Sequence, residues 1–107
     1  MMSVIIEGVS GTRYAFEGPF DCMDSLENRC GVYAVLCVRN NELNIIDVDE
    51  SFHIKRQIEC HDRKECWKRN CLGVLRYAVY YGDDNIEHSR SDVVKDIAAN
   101  YYLICGG

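Results

Sequence analysis

Between Cys30 and Ser51 the chain reads CGVYAVLCVRNNELNIIDVDES, two apolar runs that meet at Asn40-Asn41. Asn tolerates the left-handed backbone that a two-residue hairpin turn demands, so the pattern predicts a strand over Val32–Arg39, a tight turn, and a returning strand over Leu43–Val48. Such a hairpin is either a surface element or the border of an active site, and helices packed on its sheet are the layers that the rest of a chain of 107 residues has to supply. The returning strand ends in three carboxylates, Asp47, Asp49 and Glu50, which are expected to lie in a loop and to bond backbone amides.

The flanking segments supply candidates for those layers. Val4–Ile6 and Tyr14–Phe16 bracket a Gly8/Ser10/Gly11 turn and predict an N-terminal β-hairpin that Gly18-Pro19 ends. Asp21 is placed to cap a short helix through Cys22 and Leu26 to about Arg29. Ile54, Ile58 and His61 fall at helical spacing, and a second short helix is expected over 63–70 with Trp67 inward. Residues 73–81, GVLRYAVYY, read as a further strand, and Gly82-Asp83-Asp84 as a turn. Ser89 or Ser91 can cap a last helix with Val93, Ile97 and Tyr101 as its buried stripe. The order ββ-α-ββ-α-α-β-α predicts an α+β fold: a small, mainly antiparallel sheet flanked by helices, preceded by a β-hairpin, in one domain spanning residues 1–107.

Composition narrows the function classes. Apolar residues make up 48% and charged residues 27%, a profile of one globular domain. No apolar run approaches the ~18 residues of a membrane span, and no secretory leader is visible, so a cytoplasmic protein that does not engage membranes is expected. Seven cysteines without a Cys-x-x-Cys pair fit free, buried thiols in a reducing compartment. The net charge of −5 is uneven. Residues 55–76 hold seven basic residues against three acids, a balance of +4 that leaves −9 elsewhere. That basic segment is the candidate phosphate-facing surface, and the acidic remainder suits a protein partner.

Four segments then carry a family likeness: Gly31-Val32-Tyr33 opening a strand, DVDES at 47–51, HDRKECW at 61–67, and YYLICG at 101–106, with YAFEGPF upstream. In this order they resemble the GIY-YIG nuclease superfamily, and more closely a small bacterial branch with DVGES, HDR…CW and PPCG segments. The resemblance covers the chain from about Tyr14 onward. It implies phosphodiester hydrolysis, in which a tyrosine helps deprotonate water, a helix arginine stabilises phosphate charge, and a glutamate holds one divalent metal.

Matched position by position, the implied machinery is incomplete. Tyr33 stands at the first-motif tyrosine. Asp47 occupies the second-motif tyrosine position and Asp49 the glycine position. The arginine position, set by Ile54, Ile58 and His61, is Gln57, with Arg56 one residue earlier and His61 on the same helical face as Gln57. The glutamate position is Val94, and Asp92 and Asp96 lie two residues to either side, on an exposed face. The resemblance therefore implies a degenerate domain that binds or regulates, through a protein partner or nucleic acid, with Tyr33, Asp47, Arg56, Gln57 and His61 as its candidate site. No cofactor is expected of such a domain. The alternative is an active DNA endonuclease using Mg²⁺ or Mn²⁺, with Arg56 and Asp96 or Asp49 as substitutes. Cys60, His61, Cys66 and Cys71 also raise a zinc reading, although they lack the tight knuckle of common structural sites. Cys66 and Cys105 recur in the branch pattern, which implies that they meet in space.

Overall fold

The computed structural model describes residues 3–81 and 89–106. It is an α+β fold built on one five-stranded antiparallel sheet. The strands are β1 (Ser3–Glu7), β2 (Arg13–Phe20), β3 (Gly31–Arg39), β4 (Glu42–Ser51) and β5 (Val74–Tyr80), in spatial order β1-β2-β5-β3-β4. The helices are α1 (Ile54–Glu59), α2 (Lys64–Arg69) and α3 (Arg90–Ala98). None is long and apolar enough to cross a membrane.

The central hairpin forms as its sequence demands. Asn40 and Asn41 take φ of 52° and 65°, the paired left-handed residues of a primed turn. β4 extends past Val48 to Ser51, so the carboxylates of DVDES are strand residues and not a loop. The pleat sends alternate residues of β3 to opposite faces. Val32, Ala34 and Leu36 join Phe16, Val93 and Ile97 in the core beneath α3. Tyr33, Val35 and Cys37 join Ile54, Ile58 and Trp67 in the core beneath α1 and α2. Gly31 admits no side chain: a Cβ there would lie 2.6 Å from the Tyr80 carbonyl oxygen and 3.0 Å from Ile54.

Several sequence expectations change. β2 continues through Gly18-Pro19, because a register shift between Glu17 and Phe20 lets pairing with β5 resume opposite Tyr77. Between Asp21 and Arg29 only a single 3₁₀ turn forms, Met23–Ser25, and it has no side-chain cap. Leu26 leaves it in extended conformation and drops into the core, which cuts the helix short. Ser89 does cap α3, accepting from the Asp92 N–H, but Tyr101 lies beyond the helix and is 37% exposed. The turn expected at 82–84 falls outside the described residues.

The cysteines overturn the free-thiol expectation. Cys37 is bonded to Cys71, and Cys66 to Cys105, while Cys22 and Cys60 are exposed thiols and Cys30 is half-buried. The zinc set suggested by spacing is not assembled, since Cys66 and Cys71 each pair with a cysteine outside it.

Candidate functional site

The site grows from β4. Asp47 is fully buried and faces the side of the sheet covered by α1 and α2. A lone carboxylate there would be costly, and three donors compensate it. Trp67 Nε1 donates to Oδ2 at 2.7 Å, Arg63 Nε donates to Oδ2 at 2.8 Å, and Arg63 Nη2 donates to Oδ1 at 3.2 Å. The same Nη2 donates to Asp49 Oδ2 at 3.1 Å. α2 follows directly from Arg63, so one short helix delivers both the guanidinium and the indole. Burial works against the charge on Arg63, but its hydrogen bonds to Asp47 and Asp49 outweigh that and hold its pKa above the ordinary value.

Tyr33 lies opposite Asp49 across the β3–β4 ladder and is fully buried. Its hydroxyl is 2.7 Å from His61 Nε2. The Arg63 backbone N–H donates to His61 Nδ1 at 3.0 Å, and Asp62 Oδ1 lies 3.2 Å from the same nitrogen. The tautomer decides whether Nε2–H or the phenol donates in the bond to Tyr33. Burial, assisted by the Arg63 charge, holds the His61 pKa below its ordinary value, against the pull of Asp47, Asp62 and Asp49. Burial first, then the charges of Asp49 and Asp47, push the Tyr33 hydroxyl well above its ordinary pKa. A tyrosine in this setting resists becoming the phenolate that general-base chemistry needs.

The five candidate residues therefore divide. Tyr33, Asp47 and His61 come together with Arg63, Trp67 and Asp49. Gln57 and Arg56 do not join them, because both lie on the exposed side of α1. The shared face proposed for Gln57 and His61 is lost because α1 ends at Glu59 and His61 packs inward beyond it. Arg56 lines a separate cleft with Asn28, Lys55, Glu59 and Cys60. Asp49, an ordinary strand residue, does not take the left-handed backbone that a glycine position can require.

Beside this network lies a cavity of about 270 Å³, walled by Asp49, Arg63, Val94, Ala98, Tyr101 and Leu103. Val94 thus shares a cavity with Asp49. It offers no oxygen. Asp96 is not an exposed substitute: it accepts from Tyr14 Oη at 2.7 Å, from Ser10 Oγ at 2.7 Å and from the Ser10 N–H at 2.9 Å. The donor set around the cavity does not fit a divalent-metal site, and among the described residues no group of three metal-ligating side chains converges.

Arg63 and Trp67 were legible as members of the HDRKECW segment, and Trp67 as an inward residue, but not as the partners of Asp47. The signal was the pair of quoted segments, DVDES and HDRKECW, whose polar residues meet each other. No family model, curated protein or solved structure matches the chain.

Proposed function

We propose that this chain is a degenerate GIY-YIG nuclease-like domain that acts by binding, as a regulatory module, and not by hydrolysis. The supporting observation is the state of Arg63 beside Tyr33. Arg63 is held by Asp47 and Asp49, so these three groups carry one more negative charge than positive, and among the described residues an incoming phosphate meets no free cation beside Tyr33. Tyr33 is meanwhile hydrogen-bonded to His61 among those same carboxylates. The acidic body favours a protein partner over nucleic acid. Nucleic acid remains the second reading, carried by the exposed Arg56, Lys68 and Arg69 of the 55–76 segment. Two disulfides favour an oxidising compartment over the cytoplasmic one expected from the sequence.

The test is cleavage of plasmid and branched DNA with Mg²⁺ or Mn²⁺. The wild type, Tyr33→Phe and the double variant Gln57→Arg/Val94→Glu would be compared. The expected result is no cleavage by wild type or Tyr33→Phe. Activity gained in the double variant would support a nuclease cleft that lacks only its charges. Metal-dependent cleavage by wild type that disappears in Tyr33→Phe would overturn the proposal in favour of an active endonuclease.

A further inference from the structure

On the far side of the C-terminal segment lies a second, larger groove of about 570 Å³. Among the described residues, six of the nine exposed large apolar side chains line it: Ile5, Leu43, Leu72, Tyr101, Tyr102 and Ile104. Leu72 is 80% exposed and Tyr102 87%. Single exposed apolar residues are unremarkable, but this concentration in one concavity marks a docking surface.

The shape of the groove says what docks. An edge strand offers its outer backbone groups to whatever lies beside it. This groove is lined by Val4, Ile5 and Ile6 of β1 and by Leu43 to Ile46 of β4. These are the two outermost strands of the sheet. The groove also takes in Leu36 and Cys37 of the interior strand β3. Among the described residues, the outer edge of β1 is met at its end, by the Asn100 side chain at the Glu7 carbonyl, and that of β4 at its middle, by the Cys105 N–H at the Ile46 carbonyl, which leaves residues 4–6 and 43–45 uncovered. An unpaired edge is a template for another strand. The volume lies within the ~300–1,000 Å³ range of sites that hold a short ligand.

Charge gives the remaining chemistry. Among the described residues, Arg39 is the sole charged residue lining the groove, and it is exposed. In a chain of net charge −5 an exposed cation at the rim of an apolar slot calls for a carboxylate.

We infer that this groove binds an extended apolar segment of a protein partner, which adds as a strand to the edge of β1 or β4 and sets an acidic residue against Arg39. The inference rests on the reading of the domain as a binding module and names its partner. Its test is independent of DNA cleavage, so failure here leaves the cleavage result standing and the reverse.

The probe is a capped hexapeptide alternating valine and threonine with one aspartate, titrated into the full chain. Amide hydrogen exchange is followed at residues 4–6 and 43–45, with affinity measured by calorimetry. The peptide is expected to slow exchange in one of the two stretches. An aspartate-to-lysine peptide should bind about threefold to fivefold more weakly, and Arg39→Glu should reverse that preference. Leu72→Asp, at an exposed position that leaves the core intact, should weaken both. Four results would overturn the inference. One is no slowing at either edge. Another is equal binding by a backbone N-methylated peptide. A third is slowing that appears with protein concentration alone, which would assign the groove to a second copy. The last is uptake of a fatty acid probe that competes with the peptide without protecting any edge amide.

Discussion

Asp47 joins two segments that the sequence leaves far apart. Its partners are 16 and 20 residues away, on a helix whose own pattern announces only an inward tryptophan. Nothing in DVDES distinguishes a loop carboxylate from a buried one, because burial is a property of the partner. Asp47→Asn would keep an acceptor for Trp67 but remove the charge that holds Arg63. The expected loss is about 3 kcal/mol in urea denaturation, the low end for a broken buried pair because solvent reaches part of the guanidinium. A loss no larger than that of an exposed substitution would contradict the role assigned to Asp47. His61 makes a second prediction at this scale. Its folded pKa is depressed, so as pH falls through about 6.5 the unfolded chain takes a proton that the folded chain does not. Stability should be full above that value and decline below it, towards the folded pKa. His61→Asn should flatten this part of the profile, and an unchanged slope would rule the group out.

At the scale of elements, legibility followed periodicity. The hairpin, β5 and the buried residues of α1 were readable because alternation and helical spacing each imply one face. The segment after Asp21 was not, since a plausible cap says nothing about whether Leu26 will leave the turn for the core. The ends of α1 and α3 misled for the same reason: His61 and Tyr101 continue a spacing that the helix itself does not. The turn at Asn40-Asn41 offers the cleanest check. Asn41→Val places a β-branched residue in left-handed backbone and should destabilise the chain by about 1–2 kcal/mol, whereas Asn41→Gly should be neutral or slightly stabilising. Thermal melts of the two variants moving together would mean that the backbone geometry is not what the position demands.

At the scale of the whole molecule, the α+β class and the sheet were within reach of the sequence. The resemblance implied that Cys66 and Cys105 meet, and they do, but the bond between Cys37 and Cys71 was out of reach, because connectivity is a fact of tertiary structure and four cysteines already allow three arrangements. The arrangement adopted joins Cys37 to Cys71 and Cys66 to Cys105, two loops that overlap between residues 66 and 71. Overlap turns two bridges into one continuous belt. A protease that severs the backbone once, anywhere from 37 to 105, produces two polypeptides that remain a single covalent object. On a non-reducing gel such a nicked protein should migrate as one band, and only with reductant should it separate into fragments.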